Sequence, residues 1–453
     1  MEPPYIQWQT DLLQSDPEGD ALVWQDETYS RGQLLATSQE IYHQLHNEQI
    51  SIGSTVALLG DYSLNSVAAF LALIRLQCII VPLAPSSTGL KDLALQIAQV
   101  DYTIDSETLV VEPHEANKRK HTLIEQLREE THPGLVLFSS GSTGEPKAIL
   151  HDLEALLTPM RKPGKAMRTL SFLLFDHIGG IKTLFHTLSH NGCLVIPNSR
   201  TVSEVCRTID THQVELLPTS PTFLNLLLLE NAVQGNDLSS LKLITYGTEA
   251  MPEQTLQKSI EAMPKAQFKQ TYGSSEMGIL RSRSASNQSL MIQLGGNEEE
   301  IKTKDGRLFI RSSGAMLGYL NAESPFDEDG WFDTGDQVVE ENGYLRILGR
   351  ISDLINVGGQ KVFPIEVETV ISELEEITGV TIRGEDHLLT GQTVVAEIQT
   401  NSDLSTLKLK KLIKAHCKDR LQAFMIPTKI YKTEGAAVTA RFKKDRSTEL
   451  KTS

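Results

Sequence analysis

The hydrophobic residues between positions 20 and 100 follow two alternating spacings. Short apolar runs such as "ALVWQ" and "TVALLG" are typical of buried strands, whereas "SRGQLLATSQEIYHQL" and "SLNSVAAFLALIRL" repeat apolar residues with a helical period. Strands that alternate with helices predict βαβ units and a mostly parallel sheet. The alternation resumes after the lysine at 147, in "AILHD", "GCLVIP", "VSEVCRTIDTHQ", "VELLPTSP" and "LKLITYG". We therefore predict a doubly wound α/β fold, in which ligands gather at the carboxyl ends of the strands.

The pattern changes twice toward the C-terminus. From about Glu298 an Asp-Gly pair and then an Asn-Gly pair, each between apolar runs, predict two successive hairpins. After Arg350 the chain reads as a helix, two strands, a Lys-rich helix and a last strand, which is typical of a compact α+β domain. We therefore predict a large α/β N-terminal domain of several subdomains over residues 1–351, including a small β-barrel-like hairpin subdomain. A small α+β C-terminal domain follows over residues 352–453.

The charge of the chain narrows the classes of partner. The net charge of −16 argues against a general nucleic-acid-binding protein. Residues 353–453 are close to neutral, with 15 Lys and Arg against 14 Asp and Glu, so the acidic excess belongs to the larger part of the chain. A near-neutral module beside an acidic body supports the division into two domains.

Neither membrane insertion nor secretion is expected from the sequence. The most apolar run, Val67 to Ala84, is interrupted by Arg75 and Gln77, so it predicts a buried helix and a buried strand instead of a membrane span. The N-terminus lacks the basic start and apolar core of a secretory signal. Four scattered cysteines show neither metal-binding nor disulfide spacing, and a reducing cytoplasm is the expected compartment.

The stretch "LVLFSSGSTGEPK", from Leu135 to Lys147, places small and hydroxylated residues directly after a predicted strand. Glycines allow successive backbone N–H groups to converge on an anion, hydroxyls donate to phosphate oxygens, and a lysine adds positive charge. The residues suited to this are Ser139, Ser140, Gly141, Ser142, Thr143, Gly144 and Lys147. The spacing differs from that of a P-loop, so the stretch alone is as compatible with a flexible linker as with a phosphate-binding loop.

Three further stretches carry groups suited to a nucleotide. "QTYGSSEMG" brings hydroxyls and the Glu276 carboxylate together, which suits a hard cation such as Mg²⁺. "GWFDTGD" ends in Asp336, and a carboxylate can bind the hydroxyls of a ribose. Arg350, at the predicted domain boundary, could reach a ribose or a phosphate. Each stretch alone could be a polar surface turn, but all four in this order indicate nucleotide chemistry.

The order and content of these stretches resemble the adenylate-forming superfamily of acyl- and aryl-CoA ligases, luciferases and peptide-synthetase adenylation domains. "SSGSTGEPK" is similar to the phosphate loop of that family, "YGSSE" to its YGxTE motif, and "LKLITYGTEAMP" to the segment that walls the adenine. "GRISDLINVGGQKVFPIEVE" is similar to the family's hinge region, with Ser352 where Asp or Lys is common. The resemblance covers essentially the whole chain.

This resemblance implies an enzyme that activates a carboxylic acid with ATP to an acyl-adenylate, releases pyrophosphate and transfers the acyl group to a thiol. The implied cofactors are ATP, Mg²⁺ and CoA, or the phosphopantetheine of a carrier protein. Beside the phosphate loop, the implied ATP-binding residues are Gly247, Thr248, Glu249, Tyr272, Gly273, Ser275, Asp336 and Arg350, with Glu276 as the metal ligand. The small domain is implied to move as a lid about Ser352, bringing Gly358, Gly359 and Lys361 to the entrance of the thiol.

The acyl substrate is implied to meet "FDHIGG", with Asp176, His177, Gly179 and Gly180, together with Tyr246 and Gly278. His177 is similar to the histidine that borders the carboxylate in acid–CoA ligases, although a lone histidine is often structural. Asp176 would instead bind a substrate amine if the enzyme activated an amino acid. The two glycines could leave room for substrate or allow a helix to approach closely.

The family's catalytic lysine falls in "VTARFKKD", where Phe442 replaces the usual glycine. Matching the motif's threonine to Thr439 makes Lys443 the catalytic residue, and Lys444 remains the rival. The leading interpretation is an acyl- or aryl-CoA ligase. A ligase that loads a carrier protein and a degenerate homologue without turnover are the alternatives, and the identity of the acid stays open.

Overall fold

The computed structural model describes residues 4–115, 120–140, 146–230, 235–296, 299–400, 402, 404–433 and 444. The helices within these ranges are α1 Pro4–Ser15, α2 Arg31–Asn47, α3 Leu64–Arg75, α4 Lys91–Ile97, α5 Thr122–Glu130, α6 Leu153–Leu157, α7 Ile178–Ser189, α8 Val202–His212, α9 Pro221–Leu229, α10 Glu253–Ala262, α11 Pro364–Ile371 and α12 Thr406–Cys417. None of them combines the length and the apolar character that crossing a membrane requires.

The strands of the larger part of the chain are β1 Asp20–Trp24, β2 Glu27–Ser30, β3 Thr55–Leu59, β4 Ile79–Leu83, β5 Tyr102–Asp105, β6 Val111–Pro113, β7 Gly134–Ser140, β8 Pro146–Asp152, β9 Arg168–Leu170, β10 Cys193–Val195, β11 Leu216–Thr219, β12 Leu243–Tyr246, β13 Gln267–Gln270, β14 Tyr272–Ser274, β15 Gly278–Leu280, β16 Ser282–Ser284, β17 Ile292–Leu294, β18 Glu299–Lys304, β19 Arg307–Ser312, β20 Gly318–Tyr319, β21 Phe332–Glu341 and β22 Tyr344–Arg350. Those that follow are β23 Ile355–Val357, β24 Gln360–Val362, β25 Gly379–His387, β26 Gly391–Gln399 and β27 Lys429–Lys432.

Two seven-stranded sheets form the larger part of the described chain, with the strand orders β13-β12-β11-β9-β10-β1-β2 and β20-β8-β7-β4-β3-β5-β6. Their central strands are parallel, as the alternation of strands and helices predicts. A single core cluster joins residues of both sheets to apolar residues of α2, α3 and α7. Helix α3 is buried from Ser66 to Ile74 and leads into β4, which confirms the predicted buried helix and strand.

Several helices begin where short polar side chains can satisfy free backbone N–H groups. Ser30 accepts from the backbone of Gln33 at the start of α2 and Ser63 from that of Ser66 at the start of α3. Ser220 does the same for α9, whose first residue, Pro221, needs no N–H partner.

Strand β8 departs from the predicted parallel pattern. It runs antiparallel to β7, with Gly134 opposite Asp152 and Ser140 opposite Pro146, and on its other side it pairs with β20. The connection between β7 and β8 is too short for the crossover that parallel neighbours need. The predicted phosphate loop therefore lies between two antiparallel strands.

The predicted hairpins form a six-stranded antiparallel sheet of order β16-β17-β22-β21-β19-β18. The Asp-Gly turn at Asp305 joins β18 to β19, and the Asn-Gly turn at Asn342 joins β21 to β22. Asp305 and Asn342 both have φ of 52°, and the glycine after each is also left-handed, as a tight hairpin turn requires.

The last part of the chain has a hydrophobic core of its own, formed by residues between Ile355 and Ile430. Strands β23 to β27 form one sheet, in which β27 runs parallel to β26, and helices α11 and α12 contribute Val367 and Ile413 to the core. A large N-terminal domain and a small α+β C-terminal domain are thus confirmed. The exact boundary at 351/352 stays a prediction; a short 3₁₀ turn, Ile351–Asp353, lies there.

Candidate active site

The predicted phosphate loop lies at the end of the β7–β8 pair. Ser139 faces Lys147 across the two strands, and Ser140 faces Pro146. Gly141, Ser142, Thr143 and Gly144 lie outside the described residues. Strands β7 and β8 therefore hold the two ends of the loop, Ser140 and Pro146, next to each other.

Lys147, Tyr319 and Glu276 form a connected group beside this loop. The Lys147 ammonium lies 4.9 Å from the centre of the Tyr319 ring, and the Tyr319 hydroxyl donates to Glu276 Oε1 at 3.0 Å. Burial, reinforced by the Glu276 carboxylate, raises the pKa of the Tyr319 phenol, so it stays a hydrogen-bond donor. Tyr319 is not among the residues predicted from the sequence, although it lies in "SSGAMLGYLN", between two of the nucleotide stretches.

Two hydrogen bonds hold the turn that carries Glu276. His151 Nε2 on β8 bonds to the carbonyl oxygen of Ser275 at 2.7 Å. The Met316 backbone N–H donates to the carbonyl oxygen of Glu276 at 2.7 Å. Burial lowers the pKa of His151 to about 4, so the imidazole is neutral near pH 7 and donates from Nε2. The sequence shows His151 as one more histidine in an apolar strand, and its partner lies 124 positions away.

The predicted ribose ligands lie together. The Tyr272 hydroxyl donates to Asp336 Oδ2, and Arg350 Nε lies 3.6 Å from Asp336 Oδ1. Asp336 and Arg350 face each other on β21 and β22, which fixes their separation. Burial and the Asp336 charge raise the pKa of Tyr272. Tyr272 on β14 lies four residues before Glu276, so the Asp336 group and the Glu276 group belong to one region, in which β14 also holds Gly273.

The segment predicted to wall the adenine follows the carboxyl end of β12, where Tyr246 is buried. Gly247 donates to the Thr219 carbonyl oxygen at 3.4 Å, and Thr248 has a left-handed φ of 73°, which is uncommon for threonine. Glu249 makes a contact that the sequence did not predict. Its Oε1 accepts from the Thr222 backbone N–H at 2.9 Å, so it stabilises the start of α9.

Asp176 and His177 both bind backbone groups. Asp176 is 5% exposed, and its Oδ2 accepts from the Ser87 hydroxyl at 2.5 Å and from the Ala84 N–H at 3.3 Å. His177 caps helix α7, where its Nδ1 accepts from the Gly179 N–H at 3.2 Å. Asp176 thus ties the turn before α7 to the segment that follows β4, an arrangement that leaves only one carboxylate oxygen for any ligand.

The residues predicted to form the hinge and the entrance for the acceptor thiol lie at the start of the small domain. Ser352 is exposed within the turn Ile351–Asp353, and its hydroxyl donates to Asp353 at 3.1 Å. Gly358 and Gly359 form the tip between β23 and β24, and the Gly358 N–H donates to the Thr390 carbonyl oxygen at 2.8 Å. Lys361 is exposed on β24. Lys443 lies outside the described residues.

The described residues bring together groups whose chemistry suits a nucleotide. A lysine, a carboxylate of the kind that hard cations prefer and a carboxylate suited to ribose hydroxyls lie at neighbouring strand ends.

The chain belongs to the AMP-binding enzyme family, whose profile matches residues 90–320, just over half of the sequence. The 2-succinylbenzoate–CoA ligase of Bacillus subtilis (strain 168) is 25% identical over 468 residues, covering 94% of this chain and 93% of the relative. The D-alanine–D-alanyl carrier protein ligase of Staphylococcus haemolyticus is 23% identical, covering 96% of both. These matches confirm the predicted relationship, and both enzymatic alternatives occur among the relatives.

The fold is shared with a solved structure of o-succinylbenzoate coenzyme A synthetase from Bacillus subtilis in complex with ATP and magnesium ion. Its TM-score is 0.75 at 24% sequence identity, and the superposition covers 97% of this chain and 98% of the other. This similarity confirms the predicted fold of a large and a small domain.

Gly180 allows helix α7 to approach the preceding turn. A Cβ at Gly180 would lie 2.0 Å from the Leu174 carbonyl oxygen, whereas one at Gly179 would first meet the flexible Leu173 side chain. We expect Gly180→Ala to lower the free energy of unfolding by about 1–3 kcal/mol. Gly179→Ala, the matched control in the same turn, should cost clearly less in urea unfolding. Equal losses in the two variants would show that backbone crowding at Gly180 is not the cause.

Neutral, buried His151 should make the protein sensitive to acid. Its folded pKa of about 4 lies below the ordinary value of 6.5, so the unfolded state binds the proton more readily and stability falls below about pH 6.5. His151→Gln, which keeps a donor for Ser275, should remove about 2 kcal/mol of the loss between pH 7 and pH 5. Urea unfolding of both proteins across this range checks the difference. Parallel stability curves would contradict it.

Proposed function

We propose that the protein activates a carboxylic acid with ATP, forming an acyl-adenylate and pyrophosphate, and then transfers the acyl group to the thiol of CoA. The Lys147–Tyr319–Glu276 group beside the Ser/Gly loop is the observation that carries the proposal. It gathers a cation and a carboxylate at one edge of the sheet, where a triphosphate and its metal ion need them. Membership of the AMP-binding enzyme family supports the same reaction.

Each group then has a role in the first step. The substrate carboxylate attacks the α-phosphorus of ATP, and the bond to pyrophosphate breaks. Lys147 and the hydroxyls of the loop bind the phosphate oxygens, and Asp336 binds the ribose with support from Tyr272 and Arg350. Tyr319 donates to Oε1 of Glu276, which leaves Oε2 for Mg²⁺, and the metal ion would neutralise charge on the phosphates.

The substrate is proposed to lie beside α7, with His177 at its carboxylate. Asp176 already accepts from Ser87 and Ala84, which favours a structural role over binding a substrate amine. An acid without an α-amine is therefore the favoured substrate class, with Gly180, Tyr246 and Gly278 at the wall of its pocket. A CoA ligase among the similar proteins supports CoA as acceptor, and a carrier-protein phosphopantetheine is the second candidate because a carrier-protein ligase is also similar.

The compartment proposed for this reaction is the cytoplasm. Cys78, Cys193, Cys206 and Cys417 are all buried as free thiols, which suits a reducing environment.

ATP–pyrophosphate exchange with a panel of aryl, fatty and amino acids tests the first step, and trapping with CoA or a phosphopantetheinylated carrier protein tests the second. We expect exchange with an aryl or fatty acid and thioester formation with CoA. Glu276→Ala should reduce exchange by about 100-fold or more because it removes the metal carboxylate. Glu328→Ala, an exposed control, should not.

Three outcomes would contradict parts of this proposal. Exchange driven by amino acids would overturn the assignment of Asp176 and the CoA-ligase reading. Exchange by Glu276→Ala at the wild-type rate would remove Glu276 from the metal site. The absence of exchange with every acid would favour a degenerate homologue.

The two steps need the small domain in two orientations, and Ser352 is proposed as the hinge. Proline at this position would fix φ near about −65° and also restrict Ile351. We expect Ser352→Pro to retain pyrophosphate exchange and to lose most thioester formation, whereas Ser352→Ala should retain both. Thioester turnover by the proline variant at the wild-type rate would refute the hinge, and equal loss of both steps would indicate general damage instead.

A further inference from the structure

Helix α7 carries a row of basic side chains along one face. Lys182, His186 and His190 follow one another at four-residue intervals, so they lie on the same face, with His190 directly after the last helical residue. The ring centres of His186 and His190 lie 4.4 Å apart. His190 closes the far end of the row, since its two ring nitrogens contact the carbonyl oxygens of His186 and Lys162 at 2.7 and 2.9 Å.

The near end of the row lies beside the turn that carries Glu276. A Cβ at Gly278 would lie 3.5 Å from Cε and 3.7 Å from Nζ of Lys182. Gly278 comes two residues after Glu276 and has a left-handed φ of 68°. The row therefore begins at the proposed wall of the substrate pocket and runs along α7 toward the C-terminal end of this helix.

Lys269 on β13 projects from the face of its sheet on which α7 packs. On that face, Leu194 of β10 belongs to the same core cluster as Ile181 of α7. Residues paired directly across neighbouring strands project to the same face, and the pairs that lead from β10 to β13 are Leu194–Thr169, Thr169–Leu216, Leu216–Leu243 and Leu243–Gln267. Lys269, two positions beyond the last of these residues, shares their face. Phe268 projects to the opposite face, where it packs in the cluster of Phe223.

The surroundings of Lys269 disfavour its positive charge. Its ammonium is half-buried and makes no hydrogen bond or ion pair with any residue that the structure describes. Burial and the positive charge of Arg281 lower the pKa of this lysine. Although His186 is exposed to solvent, loss of part of its hydration and the positive charges of His190 and Lys269 lower its pKa to about 4. An anionic ligand would offset the unfavourable free energy of these neighbouring positive charges.

We propose that Lys182, His186 and Lys269 bind a second anionic group of the acid substrate, at the end opposite to the carboxylate that reacts with ATP. This inference rests on the proposed function, and it narrows the substrate class to acids with two carboxylates. The two lysines supply positive charge, and the neutral imidazole of His186 donates one hydrogen bond.

The helix sets the length of such a substrate. Lys182 and His186 come five and nine residues after His177, the residue proposed to border the reacting carboxylate. At about 1.5 Å per residue, they lie about 7 and 13 Å further along the helix axis. The two carboxylates of the substrate should be separated by a distance in this range.

Matched acids test the preference in ATP–pyrophosphate exchange. One pair is octanoate and octanedioate, the other is phenylpropanoate and its para-carboxy derivative, and the terminal monoamide of each diacid is the neutral control. We expect kcat/KM for at least one diacid to exceed that for its monoacid and its monoamide by about tenfold or more, because hydrogen bonds between charged groups are the stronger ones.

Four variants connect this preference with the two lysines. Lys182→Met and Lys269→Met should each lower the ratio of kcat/KM between diacid and monoacid by about tenfold. Lys182→Arg should keep most of the ratio, because it retains the charge. Lys265→Met, an exposed control shortly before β13, should keep all of it.

Two results in exchange would overturn the second anionic subsite while leaving the proposed function intact. The first is an equal kcat/KM for the diacids and their monoacids in the wild type. The second is a preference for diacids that survives in both methionine variants.

The thermal midpoint distinguishes ligand binding from a structural role of Lys269 without any activity. Lys269→Met removes a partly desolvated ammonium that has no partner among the described residues, so we expect the midpoint to rise. Lys265→Met should leave it unchanged. A clear fall of the midpoint in Lys269→Met would show that the lysine stabilises the fold, and would contradict its assignment to a ligand.

Labelling of lysines by an amine-reactive ester, followed by mass spectrometry, tests binding without turnover. At saturation, at least one diacid should slow the labelling of Lys182 and Lys269 by about threefold or more, and leave that of Lys265 unchanged, whereas the monoamides should protect neither. Equal labelling with and without both diacids would refute the subsite. Protection by inorganic phosphate or pyrophosphate, and by neither diacid, would assign the cluster to a phosphate instead. If a diacid protects both lysines and no acid supports exchange, the subsite stands and the proposed function fails.

Discussion

The pairing of strand β8 between β7 and β20 is the constraint on which the candidate site depends. Through β7 it fixes Lys147 opposite Ser139, and through β20 it brings Tyr319 opposite Ile149. Asn321 strengthens this register by accepting from the Ala148 N–H and donating to the Pro146 carbonyl oxygen, each at 2.9 Å. A slip of one residue would turn every side chain of β8 to the opposite face and separate the lysine from its aromatic neighbour.

The same strand organises the turn that carries Glu276, the proposed metal ligand. His151 lies four residues after Lys147 on β8, so both side chains project to the same face of the sheet. The Lys147 ammonium lies over the Tyr319 ring, and His151 holds Ser275, directly before Glu276. Three sequence stretches that lie far apart in the chain thus depend on one short strand for their relative positions.

Local signals made much of the fold predictable. The Asp-Gly and Asn-Gly turns, the apolar run of α3 and β4 and the α+β character of the last domain each depend on neighbouring residues, and all are confirmed. The direction of β8 was not predictable in this way, because an apolar strand has the same pattern in a parallel and in an antiparallel pair.

Residues of the candidate site could be predicted where the side chain alone suggests a function, as a carboxylate does. They could not be predicted where the function of a side chain depends on contacts with residues distant in the sequence. The carboxylates of Glu276 and Asp336 were visible in the sequence, whereas the phenol of Tyr319 looks like any aromatic residue in a loop. Glu249 was expected to bind ATP, and its bond to Thr222 was not expected because it depends on how β12 and α9 meet. Such contacts arise from tertiary packing, which no local pattern records.

The burial of all four thiols has a consequence for an enzyme that makes activated acyl groups. A mixed anhydride acylates any thiolate that it meets, and a thiolate is the reactive form of cysteine. Burial raises the pKa of Cys78, Cys193, Cys206 and Cys417, so each remains a protonated thiol at neutral pH, out of contact with solvent. The acyl-adenylate therefore meets no exposed cysteine thiolate on the enzyme that it could acylate. The incoming acceptor thiol has no competing nucleophilic sulfur on the enzyme.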